Sequence, residues 1–347
     1  MRPILEADLD HIMAHTTGLW EPLRGQSIFM TGGTGLFGKW LTASFCRAND
    51  RLGLGACLYI LTRDPSRAQD EATALYRHSS VVLVPGDLRS FAFPDGEFPH
   101  VIHAATATKP NGEQLPGWEL FEPNLAGTRR LLDFAAQANT KRLLYVSSGA
   151  VYGPQPIELH AIPDEYVLAP ETKRIDLAYG HSKRVSEFLI FGHANRYRYA
   201  ACAARCFAFV GPLFPIEGRY AIGNFIRDAL KGGPIRVNSG GAAVRSYLYL
   251  ADLAIWLWTL LLRGRGGETY NVGSPHAISI GSLAKLAATI INPDAEVIIG
   301  RGPDSGFSGP RYVPDTTRAF GELGMRPWID LPEAITRTAN WYRGVGQ

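Results

Sequence analysis

An apolar run, Ser27-Ile28-Phe29-Met30, passes straight into Thr31-Gly32-Gly33-Thr34-Gly35-Leu36-Phe37-Gly38, and a helical pattern follows over residues 35–49. No other stretch restricts the fold as tightly, because Gly32, Gly35 and Gly38 each answer a separate steric demand. Gly32 permits a tight turn off the strand, Gly35 lets backbone approach a pyrophosphate, and Gly38 lets the helix lie close on the sheet. The helix start offers free N–H groups and a partial positive charge to phosphate. A glycine-rich turn alone would show the same triplet. Its position between an apolar strand and a helix is what points to a dinucleotide.

The alternation continues downstream. CLYIL, VVLV, HVIHAA, RLLYVSS and AACAARCFAF are short apolar runs of the kind buried on both faces of a sheet. Helical patterns separate them over residues 68–77, 124–138 and 179–195. Repeated strand–helix units predict an α/β fold, a Rossmann-type doubly wound parallel sheet. Past Gly211 the chain turns rich in Gly and Pro, which predicts a smaller C-terminal substrate-binding lobe. The expected boundaries are a helical extension over 1–25, with Leu5, Leu9, Ile12 and Met13 at helical spacing, a nucleotide domain over 26–210, and the lobe over 211–347. A strand and helix near 240–265 are candidates for returning to the sheet.

Charge excludes some functions. With 35 Lys+Arg against 32 Asp+Glu there is no bulk attraction to nucleic acid or to an acidic membrane. The longest apolar stretch, residues 248–262, is interrupted by Asp252 and short for a bilayer. The first residues do not read as a signal peptide, so the cytoplasm is the expected compartment. Cys46, Cys57, Cys202 and Cys206 are too scattered for a disulfide framework or a metal site, and read as buried thiols.

At the end of the second apolar run stands Thr62-Arg63-Asp64. An acid gripping both ribose hydroxyls there would signal NAD. Thr62 is uncharged and Arg63 suits a 2′-phosphate, so the reading is NAD(P) with a lean to NADP, against which Asp64 pulls. Asp87 is placed to accept from an adenine amino group. Further on, Tyr179 and Lys183 stand at i and i+4 on one helix face. Tyrosine, with a pKa of ~10, is a poor base at neutral pH unless a nearby ammonium stabilises its phenolate. Ser147 and Ser148 end an apolar run at the carboxyl edge, where α/β sheets place ligands.

Taken together, TGGTGLFG, GDL (86–88), HAA (103–105), NLAGTRRLL (124–132), SSGAVYG (147–153), YGHSK (179–183), RSYLYLADLA (245–254) and YNVGS (270–274) resemble the extended short-chain dehydrogenase/reductases. The resemblance is to their NAD-dependent epimerase/dehydratase branch, which acts on nucleotide sugars. It implies Tyr179 as acid/base, Lys183 as ribose ligand and Tyr activator, and Ser148 as the hydroxyl that polarises the substrate oxygen. Alongside Arg63 and Asp87, it implies cofactor contacts from Gly32, Gly35, Leu36, Phe37, Gly38, Leu88, Ala104, Ala105, Asn124, Ser147, Tyr179 and Lys183. Substrate contacts would come from Ser148, Ala150, Tyr179, Arg245 and Arg311, with Arg245 on the pyrophosphate. Arg311 and Arg318 are further phosphate candidates, a solvated face being the alternative for both. The resemblance also implies a homodimer through the helices near Asn124 and Tyr179.

Two departures narrow the chemistry. Dehydratases of the branch carry Asp and Glu just after the catalytic hydroxyl, where this chain has Gly149 and Ala150. Neither can move a second proton. Ala208 stands where the family often has an Asn that holds the sugar nucleotide. The expected activity is therefore hydride transfer at C4 of a nucleoside-diphosphate hexose, as epimerase or 4-ketoreductase. The alternatives are a 4,6-dehydratase with non-standard acids and a non-catalytic dinucleotide sensor. His181 points away from the Tyr179–Lys183 face and reads as structural.

Overall fold

A computed structural model describes residues 3–107, 115, 117–218, 220–300 and 309–344. Six strands, β1 (Ser27–Thr31), β2 (Cys57–Thr62), β3 (Val81–Pro85), β4 (His100–His103), β5 (Arg142–Ser148) and β6 (Ala200–Cys206), pair in parallel with an edge strand, Thr269–Val272. The spatial order is edge, β6, β5, β4, β1, β2, β3. From β1 the chain moves outward to β3, then crosses to β4 and moves outward the other way. That reversal opens a crevice at the carboxyl ends of β1 and β4, where Thr31 lies opposite His103.

Residue alternation explains why both faces are covered. Ile28 and Met30 join the core that includes α2 (Leu36–Leu52) and the Leu250–Arg263 helix, while Phe29 joins the core containing Leu131, Phe134 and Ile190. Those last residues come from α5 (Phe121–Gln137) and α6 (Ala178–Tyr197). Each large apolar side chain so buried contributes roughly 1.5–3 kcal/mol.

One expectation is made specific and two are adjusted. The N-terminal helix α1 (Glu6–His15) packs into the main core through Leu9, Ile12 and Met13. Its Asp8 is fully buried between the Tyr249 hydroxyl (2.7 Å) and the Arg337 guanidinium (2.8 Å). His11 lies 2.9 Å from Asp252, whose other oxygen accepts from the Trp328 and Ile329 amides. The single helix expected over 68–77 is two, α3 (Pro65–Glu71) and α4 (Thr73–Tyr76), broken at Ala72 with φ −146°. The chain returns to the sheet through the helix at 250–263 and the strand at 269–272, later than the strand expected near 240.

The rest of the C-terminal part is a lobe of short elements. Val244–Arg245 pairs with Ile278–Ser279 and with Arg311–Tyr312. Cys46, Cys202 and Cys206 are buried free thiols and Cys57 is a partly buried one. Among the described residues no helix is long and apolar enough to cross a membrane, and no group of His, Cys, Asp or Glu could hold a metal ion.

Candidate active site

The turn after β1 is as tight as its glycines imply. Gly32 has φ +75°, and a Cβ there would stand 2.6 Å from backbone atoms of Ala104 and Ala105. A Cβ on Gly38 would fall 2.3 Å from the Gly32 carbonyl oxygen. Gly35 ends the turn as the N-cap of α2, and no side chain caps that helix start. Tyr76 holds the turn from the side, its hydroxyl donating to the Gly33 carbonyl at 2.9 Å.

From this turn a cleft of about 880 Å³ runs across the crevice, lined by Gly32, Gly35, Leu36, Arg63, Asp87, Leu88, Ala104 and Ala105 among others. A backbone cradle without room for a methyl group, beside an uncapped helix start, fits a dinucleotide pyrophosphate. Phe37 and Gly38 do not line the cleft; Phe37 packs edge-on against Phe209 at 5.0 Å. Asp87 reaches the cleft with its carboxylate engaged by Arg89 at 2.7 and 3.0 Å, which holds its pKa below the usual range. Asp64 accepts from the Arg67 amide at 2.9 Å and so caps α3.

The cleft floor is fixed by a buried relay that the sequence reading missed. Thr31 Oγ1 lies 2.8 Å from His103 Nδ1, and His103 Nε2 lies 3.1 Å from Thr128 Oγ1. Thr128 spends its proton on the Asn124 carbonyl, so His103 donates from Nε2 and accepts at Nδ1. Burial, with Lys183 nearby, pushes His103 down to about 3, so it stays neutral. The Asn124 amide is committed to protein, accepting from the Ala107 amide at 2.6 Å and donating to Ser182 Oγ at 3.1 Å. It positions the loop after β4.

Around the crevice, α6 presents Tyr179, Lys183 and Glu187 at successive i+4 steps. Lys183 is buried and donates to the Val146 carbonyl at 2.8 Å, with Nζ 5.8 Å from the centre of the Tyr179 ring. Desolvation pushes its ammonium down to about 8. Glu187 accepts from Ser147 Oγ at 2.6 Å and pairs with Arg205 at 2.7 Å. Arg205 also donates to the Tyr152 hydroxyl, which donates in turn to Asn271. This buried network ties α6 to β5 and β6, and it turns Ser147 towards α6.

Ser148 ends β5, and its Oγ accepts from the Ala150 amide at 3.2 Å. The first turn of α6 lies against this segment so closely that a Cβ on Gly180 would stand 2.3 Å from the Ala150 carbonyl oxygen. The Gly of YGHSK is thus what lets Tyr179 approach the Ser148 turn. His181 faces elsewhere, 3.2 Å from the Glu171 carbonyl. In the lobe, Arg245 donates to the Val244 and Pro310 carbonyls at 2.8 Å, and Arg311 to the His160 carbonyl. Arg318 pairs with Glu165 and Glu268.

The profile of the NAD dependent epimerase/dehydratase family matches residues 28–273. The chain belongs to this family. UDP-glucuronic acid decarboxylase 6 of Arabidopsis thaliana is 26% identical over 323 residues, 90% of each chain. The dTDP-glucose 4,6-dehydratase of an Actinoplanes strain is 28% identical over 333 residues, 91% of this chain and 97% of that one. Among solved structures, the UDP-glucose 4-epimerase of Thermotoga maritima with UDP-glucose shares the fold at a TM-score of 0.74 and 20% identity, covering 92% of this chain and 99% of that one. So does DesIV, the dTDP-glucose 4,6-dehydratase of Streptomyces venezuelae with NAD and TYD bound, at 0.74 and 22%, covering 92% and 97%. The epimerase/dehydratase family thus includes NAD-dependent nucleotide-sugar enzymes of at least three reaction types, and these identities do not choose among them.

Proposed function

We propose that this epimerase/dehydratase-family chain transfers a hydride at C4 of a nucleoside-diphosphate hexose, as a 4-epimerase or a 4-ketoreductase. The observation that carries the reading is the set of groups around Ser148. Ser148 ends β5 beside the first turn of α6, the helix that carries Tyr179 and Lys183, whereas Gly149 and Ala150 offer no side chain to move a second proton. Loss of water across C5 and C6 needs such a group. Nor is there space for one at 149, since a Cβ would meet the Phe207 ring and the Tyr312 hydroxyl oxygen at 2.7 Å each.

A nicotinamide bound in the cleft supplies the hydride acceptor or donor. Tyr179 takes the C4 hydroxyl proton as the C4–H bond breaks and the 4-keto sugar forms, and returns a proton in the reverse direction. The Lys183 ammonium favours the phenolate that this requires. Ser148 Oγ donates a hydrogen bond to the C4 oxygen in both directions, and Arg245, at the lobe's edge, receives the pyrophosphate. With a cofactor and a matched nucleotide hexose, Tyr179→Phe is expected to lose at least about 100-fold in kcat. Steady turnover by that variant overturns the assignment.

Two finer readings accompany this one. Thr62 is uncharged and Asp64 caps α3, and Arg63 lines the cleft beside an Arg67 paired with Glu71; the uncharged Thr62 and the Arg63 guanidinium support NADP over NAD. Equal affinity for NADH and NADPH in a binding titration rejects that preference. Phe188 on α6 and Trp118, stacked on Phe121 ahead of α5, are exposed large apolar side chains. They support a homodimer through the outer faces of α5 and α6, which Phe188→Glu should convert to monomer in sedimentation.

A further inference from the structure

The small sheet that carries Arg245 does not end at Arg311–Tyr312. Gln155, just past the SSGAVYG turn that begins with Ser147 and Ser148, forms an antiparallel bridge with Arg311, and Ile162 forms a parallel one with Pro314. The Gln155 side chain is buried and works on both sides of this joint. Its carbonyl oxygen accepts from the Val313 amide at 2.9 Å, and its amide group donates to the Leu159 carbonyl at 2.7 Å. Two backbone bonds continue the pairing, the Ile162 N–H to the Val313 carbonyl at 2.9 Å and the Asp315 N–H to the Ile162 carbonyl at 2.8 Å. Arg311 donates to the His160 carbonyl of the same segment. The fully buried Asn271 side chain, on the edge strand of the main sheet, donates to the Ile162 and Asp315 carbonyls and fastens both segments to the nucleotide domain.

From the catalytic end the path is short. Ser148 leads into the turn over 149–152, which has no room for a Cβ at Gly149 and is tied to Asn271 by the Tyr152 hydroxyl at 2.9 Å. Gln155 follows, then Arg311–Tyr312 across the bridge, then Arg245 one strand further on. We propose that Gln155 is a positioning residue that fixes the span between Arg245 and Ser148, so that a hexose held by its pyrophosphate at the first presents C4 to the second. The proposal rests on the hydride-transfer reading above and adds to it the part that aligns the substrate. Because the joint is made of backbone pairing and a buried amide, the span is set before the sugar arrives, and grip on the diphosphate end alone does not depend on it. Alignment is where the effect lies, since a misplacement of about 1 Å between a bound substrate and its catalytic groups costs up to ~100-fold in rate.

Gln155→Met removes both side-chain bonds and nearly keeps the volume. For a UDP- or dTDP-hexose that the wild type converts, kcat should fall about 10- to 100-fold with KM within about threefold, while calorimetric titration gives Kd for UDP, dTDP and the cofactor within about twofold of wild type. An unchanged kcat overturns the proposal. So does a parallel loss of kcat, diphosphate affinity and cofactor affinity, which is what a general loosening of the lobe would give. Hydrogen exchange on the wild type needs neither turnover nor a variant: the Val313 and Ile162 amides should exchange at least about 100-fold more slowly than an exposed, unbonded amide. Rapid exchange at Val313 overturns the proposal too. If the wild type converts no nucleotide hexose, the hydride-transfer reading fails, and exchange at Val313 still decides whether Gln155 holds the joint.

Discussion

Gly38→Ala offers the sharpest test of the nucleotide cradle, because the cost can be worked from distances. The added Cβ would lie 2.3 Å from the Gly32 oxygen and 2.4 Å from the Gly33 Cα and carbonyl carbon, where ordinary contact begins at 3.4 Å. The start of α2 must therefore retreat by about 1 Å, and both colliding partners are backbone, so no side chain can rotate away. On α2 itself Trp40, Leu41 and Phe45 are fully buried against the core and resist that retreat, and overpacking of this kind costs about 1–3 kcal/mol. A melting temperature lower by roughly 1–4 °C follows. The first-turn N–H groups move with the helix; losing two charge-assisted bonds to the pyrophosphate, each about 1.5–3 kcal/mol, weakens cofactor binding by at least ~100-fold. Gly35→Ala is the control: its Cβ meets only the Gly32 oxygen, at 3.3 Å, so the fold should be kept while phosphate approach alone suffers. Calorimetric titration with NADH and NADPH, beside thermal melting, reads both effects. Cofactor affinity within threefold of wild type in Gly38→Ala would refute the steric argument.

The remaining predictions concern titration and charge. Lys183 loses its proton as pH rises through about 8, so kcat/KM should fall above pH 8, not near the usual lysine value of 10.5; a flat profile to pH 10 rejects the ammonium's role. Burial raises Asp164 to about 7, so the stability linked to its protonated form is present below its ordinary 3.8 and lost as pH climbs through 7. Asp164→Asn should gain stability over wild type progressively across that window, by at most roughly 2–4 kcal/mol above pH 7, and parallel melting curves against pH would contradict it. Glu187→Gln leaves the Arg205 guanidinium buried without its counter-charge and should cost about 3–5 kcal/mol in denaturant unfolding; an unchanged midpoint sinks the claim that this pair fastens α6.

Much of this was legible because local patterns and chemistry coincide. The β1 turn announces itself through glycines whose spacing has few steric solutions, and Tyr179–Lys183 through an i+4 step that any helix would honour. Glu187 continues that step and was still missed, since periodicity shows a shared face and not what lies across from it. Its partner Arg205 is the one charged residue in an otherwise apolar strand. Tyr312, whose hydroxyl fills the space beside Gly149, was hidden for a similar reason: it is far from Gly149 along the chain, and only the folding of the lobe brings it back. The break at Ala72 carries no Pro or Gly to mark it, so propensity alone runs α3 and α4 together. Arg318 showed a cation and concealed its two carboxylate partners, Glu165 and Glu268.

The clasp on α1 sets an order of events during synthesis. Asp8 receives its bonds from Tyr249 and from Arg337, 241 and 329 residues further along, and the Trp341 indole donates to the Pro3 carbonyl. While the strands of the sheet emerge from the ribosome in turn, this helix carries a carboxylate with neither of these partners, and it can complete its seat only after Arg337 has been made. Closing contacts of such long separation are slow to form. Cotranslational folding should therefore assemble the nucleotide sheet first and lock it last, with the segments around Asp8 and Arg337 drawn together in the final step.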